Sequence, residues 1–168
     1  AARAKVHKLR GMMDAIIIGR GTLVADDPML TARPPGPRTA VRIVLTSGRE
    51  PPPADCKLLS TINEAPVLIA APGPRQWADW SRRGAEIAAL SRERPVPSLL
   101  EELGRRRMTN VLVEGGSSVL GAFFDLDLID EVHAFVAPKL IGGSEAVSPV
   151  GGNGIANMAD ARTLRDPT

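Results

Sequence analysis

The chain has 168 residues, 43% of them apolar and only 3% aromatic, with a formal net charge of +2. Roughly two-thirds of the unfolded surface of such a chain is buried in one aliphatic core, so residues 1–168 read as a single domain with no room for a second. The arginines are dispersed, tyrosine is absent, and the aromatic residues are three phenylalanines and two tryptophans, which argues against nucleic-acid binding and for small anionic ligands or a solvated surface. The single cysteine, Cys56, excludes an intrachain disulfide framework. With no apolar run of the roughly 18 residues a membrane span needs and no visible signal peptide, the expected location is cytoplasmic, away from membranes.

Along the chain, the spacing of Val6, Leu9 and Met13 predicts a helix over residues 2–13. Residues 15–18 (Ala-Ile-Ile-Ile) read as a first strand, residues 41–46 as a second, 66–71 as a third and 84–88 as a shorter fourth. Helices are expected over 77–83 and 98–107. The second of these opens on Ser98 with Glu101 three positions later, the capping-box pattern. Residues 111–114 follow as a strand. Then comes a helix with Leu120, Phe123 and Phe124 on one apolar face, and residues 131–137 read as a further strand. Proline clusters at 33–38 and 50–53 mark loops within one core. Strands alternating with helices imply a three-layer α/β fold, a mostly parallel central sheet with helices on both faces.

Two strand ends carry chemistry. Val111-Leu112-Val113 runs into Glu114-Gly115-Gly116-Ser117-Ser118, where a strand breaks into glycine at a helix start. Backbone N–H groups there face outward at the positive helix end and form a cradle for a pyrophosphate, although a tight turn with a serine cap fits the spacing equally well. Ser117 and Ser118 do not sit in a nucleophile elbow. The other end is Gly19-Arg20-Gly21-Thr22-Leu23-Val24-Ala25-Asp26-Asp27-Pro28. A dinucleotide fingerprint fails here, because Val24 holds the third glycine position and Ala40, Val41 and Arg42 stand where an acidic residue is required. Thr22 and Asp26 fall one helical turn apart, on one face, while Asp26-Asp27-Pro28 also reads as a plain helix stop. Leu30-Thr31-Ala32-Arg33 supplies an arginine suited to a phosphate, although an ordinary surface arginine fits the same pattern. His7 and His133 are far apart and Cys56 is alone, so no metal site is expected, and zinc deamination is set aside.

The segment from Asp14 to Arg33 with its Asp-Asp-Pro-x-Leu-Thr-x-Arg motif, Val-Leu-Val-Glu-Gly-Gly at 111–116 and Ala-Pro-Lys-Leu-Ile-Gly-Gly at 137–143 together resemble the pyrimidine reductase domain of bacterial riboflavin biosynthesis. The similarity covers nearly the whole chain. It implies a dihydrofolate-reductase-like fold and NADPH-dependent reduction of 5-amino-6-(5-phosphoribosylamino)uracil to its ribitylamino form. The resemblance further implies Thr22, Asp26, Ser47 and residues 116–122 (Gly116, Ser117, Ser118, Val119, Leu120, Gly121, Ala122) at the cofactor, next to Gly115 of the cradle. Arg10, Leu30, Arg33 and Glu114 fall at the substrate, a phosphorylated pyrimidine. Asp26 and Glu114 are then the catalytic candidates, because a carboxylate stabilises a cationic imine that accepts hydride. No acidic residue meets a ribose 2′-hydroxyl, and Ser47 and Arg49 after the second strand suit a 2′-phosphate, so NADPH is expected over NADH.

Relatives of this reductase commonly dimerise, and Val132, Phe135, Val136, Leu140 and Ile141 give the chain an apolar C-terminal segment suited to a homodimer, although a doubly covered buried strand explains them as well. Measured against the family pattern, the first strand with its Ser-Leu-Asp-Gly-like segment and Trp-bearing loop is missing before Ala1, and a last strand is missing after Asp166. Two other readings share the glycine cradle. One is a related oxidoreductase of another substrate, and the other is a non-catalytic nucleotide-binding or dimerisation domain.

Overall fold

A parallel strand covered on both faces needs an apolar side chain at every position, and Ala15-Ile16-Ile17-Ile18 and Val67-Leu68-Ile69-Ala70-Ala71 meet that demand. In the computed structural model, which describes residues 2–51, 53–73, 77–143, 146 and 148–165, these segments are buried throughout. Pro52 of the second proline cluster and the positions after residue 165 lie outside the described residues. The sheet contains β1 (Ala15–Gly19), β2 (Val41–Leu45), β3 (Val67–Ala71), β4 (Glu86–Ala89) and β5 (Val111–Gly115), all parallel, in the order β4-β3-β2-β1-β5.

That order dictates the layers. From β1 to β4 the chain steps one way across the sheet, and from β4 it returns past β1 to β5. Right-handed crossovers running in opposite directions put their helices on opposite faces. Accordingly, α2 (Arg20–Asp26), α3 (Lys57–Ser60) and α4 (Ala78–Arg82) send Leu23, Leu58, Leu59 and Trp80 into one core with Ile16, Ile18, Val44 and Ile69. On the other face α5 (Pro95–Arg105) and α6 (Ser117–Asp125) send Val96, Leu99, Leu103, Val119 and Phe123 onto Ala15, Ile17, Ile43 and Leu68. α1 (Ala2–Arg10) precedes the sheet and buries no residue fully. Its end is tied down where Arg38 N–H donates to the Gly11 carbonyl at 3.0 Å. A Cβ on Gly36 would stand 2.4 Å from that same carbonyl oxygen, so the proline loop can approach α1 this closely only as glycine.

Three expectations are corrected. α5 starts three residues before Ser98, with Pro95 in its first turn and no side-chain cap on Arg94. Proline's fixed φ and missing N–H suit that position, and Ser98, now inside the helix, accepts from Ser91 N–H at 3.2 Å instead of capping. Residues 131–137 form no strand. A strand needs a neighbour's ladder, and this exposed stretch pairs with neither described sheet edge, β4 or β5. On α6 the core-facing residues are Val119 and Phe123, while Leu120 and Phe124 are half-buried, and the Arg162 guanidinium lies 4.6 Å above the Phe124 ring.

Candidate active site

In open parallel sheets, ligands sit where successive crossovers leave the carboxyl ends of adjacent strands for opposite faces. Here that point lies between β1 and β5, since α2 leaves one side and α6 the other. The two glycine-bearing strand ends noted in the sequence flank it. They are joined by Gly116 N–H, which donates to Thr22 Oγ1 at 2.8 Å. The loop after β2 reaches the same edge, because Arg20 at the start of α2 pairs with Glu50 at 2.8 Å and so holds Ser47 and Arg49 near.

The end of β5 is irregular. Ile17 pairs with Val113 and Ile18 with Gly115, so Glu114 is skipped and bulges out of the ladder. Such an extra residue re-aims its own side chain. Glu114 turns to Arg10, whose Nε donates to Oε1 at 2.7 Å and Nη2 to Oε2 at 2.5 Å, a fork-to-fork pair with side-chain exposures of 14% and 16%. Arg10 Nη1 also donates to the Thr31 carbonyl at 3.3 Å. Three of the five guanidinium N–H groups are thereby engaged, and the others stay available for an anion. Arg33 N–H donates to His7 Nδ1 at 3.2 Å, which fixes the backbone beside Thr31.

Past the bulge, Gly115 adopts φ +129°, and a Cβ there would meet nothing within 4 Å. Gly116 then opens α6 without a side-chain cap. The first N–H groups of a helix have no intrahelical acceptor, so this open turn has the donors and the space a pyrophosphate requires. Farther along α6 the surroundings change. Val119 packs on Gly19, where a Cβ would lie 2.9 Å from Val119 Cγ2, and a Cβ on Gly121 would strike Gly151 at 2.3 Å. The open part of the cradle is therefore 115–118, with Val119 and Gly121 turned to protein and Leu120 and Ala122 half-buried. The side chains of Asp26, Arg33, Ser47, Ser117 and Ser118 are without hydrogen-bond or ion-pair partners among the described residues. Asp26 lies exposed at the last position of α2. Its neighbour Asp27 is structural, since it stops α2 with φ 40° and accepts from Lys57 N–H at the head of α3 at 2.7 Å.

The segment leading to Arg33 passes Leu30, which is buried at φ 55°, and borders a cavity of about 300 Å³ lined by Arg10, Leu30, Thr31, Ala32, Arg38 and Glu64, among others. Thr31 Oγ1 is buried at this place without a partner among the described residues.

Two further side chains anchor the surroundings, Arg42 beside the Met29–Thr31 segment and Asp14 at the amino ends of β1 and β5. Arg42, fully buried on β2, donates to five protein oxygens, one of them the Met29 carbonyl at 3.0 Å. Burial pushes its guanidinium below the ordinary value, partly offset by the charge of Glu64. Asp14 accepts from the backbone N–H groups of Asn110 at 2.9 Å and Thr109 at 3.0 Å, and from Arg38 at 2.6 Å. The Asn110 bond, with lesser help from Thr109 and Arg38, holds its carboxyl below the usual carboxylate range against the opposing effect of burial. An alternating Val-Arg-Ile-Val strand hints at Arg42, but nothing in the sequence says that its side chain turns inward.

Known proteins bear on this geometry. The sequence matches the RibD C-terminal domain family over residues 1–168. It is 36% identical to a 2,5-diamino-6-ribosylamino-4(3H)-pyrimidinone 5′-phosphate reductase of Methanothermobacter thermautotrophicus, over 95% of this chain and 76% of that protein. It is 34% identical to the riboflavin biosynthesis protein RibD of Actinobacillus pleuropneumoniae, over 98% of this chain but 45% of the relative, so the chain spans about half the length of that protein. Among solved structures, Acinetobacter baumannii RibD superposes with a TM-score of 0.77 at 28% identity, covering 95% of this chain and 44% of that one.

Proposed function

Because the chain belongs to the RibD C-terminal domain family, we propose that it is an NADPH-dependent reductase of riboflavin biosynthesis that turns 5-amino-6-(5-phosphoribosylamino)uracil into its ribitylamino form. The observation that carries this reading is the bulged Glu114, paired with Arg10 and set between the open Gly115–Gly116 turn and the Thr31–Arg33 segment.

The reaction first opens the ribose. The C1′–O4′ bond breaks, O4′ takes a proton to become a hydroxyl, and the nitrogen lone pair forms a C1′=N bond whose protonated state is a cation. A bound NADPH would supply the hydride; on its addition to C1′ the C=N pair returns to nitrogen, leaving a neutral amine. Around that centre the protein binds and orients. Residues 115–118 hold the pyrophosphate, Thr22 fixes the turn through Gly116, and Ser47 with Arg49 meets the 2′-phosphate. The unpaired Asp26 and the bulged Glu114 present negative charge to the cation, which is worth most in the state that accepts hydride. Arg33 and the remaining donors of Arg10 anchor the substrate phosphate, with Leu30 against the pyrimidine.

The match over most of the Methanothermobacter reductase favours a second reading in which the substrate is the 2,5-diaminopyrimidinone, differing only on the ring. Loss of NADPH absorbance with each pyrimidine ribosylamine phosphate in turn separates the two. Turnover of neither, with the protein folded, overturns the reductase reading, and equal efficiency with NADH overturns the cofactor choice. The substrate is a small molecule, and a homodimer through the C-terminal segment is the assembly we propose.

A further inference from the structure

We propose that Arg42 is a positioning residue for the phosphoribosylamine-binding segment, holding Met29 and through it Leu30, Thr31 and Arg33 in the geometry that receives substrate. The proposal rests on the reductase reading for its kinetic test. Its structural part stands apart from it.

A guanidinium removed from water loses strong hydration, and a protein keeps one only where its donors are well used. Arg42 is 0% exposed and has no carboxylate in hydrogen-bond contact; its Nε is buried without a partner among the described residues, and the two terminal nitrogens make all its bonds. Instead Nη1 donates to Met29 O at 3.0 Å and Thr61 Oγ1 at 2.6 Å, and Nη2 donates to the carbonyls of Leu58, Thr61 and Ala65 at 3.2, 2.9 and 2.5 Å. Four of these acceptors lie between Leu58 of α3 and Ala65 in the loop before β3, so the guanidinium ties the helix end to that loop. That role alone would be structural.

The fifth acceptor is different, because Met29 lies far from α3 in sequence and next to Leu30. Leu30 sits at φ 55°, a conformation rarely adopted by a branched side chain, so its surroundings must enforce it. The next carbonyl, that of Thr31, receives Arg10, which in turn holds Glu114. A planar fork anchored on a central sheet strand thus runs through one backbone segment to the Arg10–Glu114 pair. Lysine cannot replace it, since its single ammonium group cannot reach acceptors spread on both sides of the fork.

Two variants of the full chain test the link. One is Arg42→Lys. The other is an ester at the Met29–Leu30 linkage, made by placing the α-hydroxy analogue of leucine at position 30. The ester weakens the Met29 carbonyl as an acceptor and leaves Arg42 and its contacts around α3 intact. Thr61→Val is the control, removing an α3-turn contact without touching Met29. For Arg42→Lys the KM for the pyrimidine ribosylamine phosphate should rise about tenfold, the scale of one lost charge-assisted bond. For the ester it should rise about threefold, and in both the KM for NADPH should stay within about twofold. Thr61→Val should lower the melting temperature and move neither KM. In hydrogen exchange, amides of residues 31–33 should exchange about fivefold faster in the ester and Lys variants, with those of α2 unchanged. Parallel rises in both KM values, or unaltered exchange over 31–33 in the ester variant, overturn the proposal. If Arg42→Lys does not fold, the ester decides alone. If the wild-type chain reduces neither pyrimidine, the reductase reading falls and the exchange comparison still judges Arg42.

Discussion

Asp26 and Glu114 are both carboxylates at the ends of adjoining elements, yet their surroundings differ. Glu114 is held by Arg10 on both oxygens, and Asp26 is exposed and unpaired among the described residues. A carboxylate without a protein partner contributes little to the folded state, so its replacement reads out chemistry rather than stability. Asp26→Asn should lower kcat about 10²-fold with a small change in KM, because the lost charge acts on the cation that exists only on the way to hydride transfer. Normal kcat with a reduced melting temperature would show Asp26 to be a helix terminus only. Glu114→Gln should cost both, because it leaves the half-buried Arg10 without its charge partner. Arg33→Ala should mainly raise the KM of the phosphorylated substrate. Asp26 and Arg33 lie in the specific Asp-Asp-Pro-x-Leu-Thr-x-Arg motif, whereas Glu114 sits in a Glu-Gly-Gly pattern that is weak alone and Arg10 in no motif, so the roles of these two rest on the resemblance. Arg42 could not be named from the sequence, since which way a strand residue points, and onto what, is decided by segments distant in sequence.

β1 and β3 were readable because strands covered on both faces become continuous apolar runs, β2 because Ile43, Val44 and Leu45 carry the apolar pattern past Arg42, and α6 because it follows a strand through glycine. The bulge at Glu114 was not, since register is a property of two strands and Val-Leu-Val-Glu-Gly reads as an ordinary strand. Residues 131–137 show the opposite failure, in that Val132, Ala134 and Val136 alternate as a strand would, but no described neighbour supplies the ladder. The glycine turn carries its own test. A Cβ on Gly116 would stand 3.0 Å from Thr22 Oγ1, so a branched residue there pushes α2 and α6 apart as well as crowding the cradle. Gly116→Val should weaken NADPH binding about tenfold or more in a fluorescence titration. Thr22→Val, which removes the acceptor for Gly116 N–H but adds no bulk at the turn, should weaken it less. Unchanged affinity in Gly116→Val would place the pyrophosphate elsewhere.

At the scale of the molecule, the apolar side chains of Val136, Leu140 and Ile141 are 93%, 103% and 92% exposed, close together in the chain beyond α6. Apolar groups that open to water gather against a partner surface, and a second copy of the chain offers one. Light scattering at micromolar concentration should give twice the chain mass, and Leu140→Glu should return it to the monomer. Global stability should meanwhile follow Asp14, which ties the start of β1 to the loop before β5 through Asn110 and Thr109 and to the proline loop through Arg38. Its folded-state pKa is lowered, so the unfolded chain takes up the proton first as pH falls. The contribution is therefore complete above the unfolded value of about 3.9 and is lost as pH drops through the folded value beneath it. Asp14→Ala returns two exposed backbone donors to water and removes their charged acceptor, and should cost about 1 kcal/mol at neutral pH. Urea unfolding of both proteins from pH 7 down to about pH 2.5 should show that gap constant at first, then narrowing below about pH 4 as the wild-type carboxylate is protonated. A gap that held steady to the lowest pH would mean that Asp14 acts through its shape and not its charge.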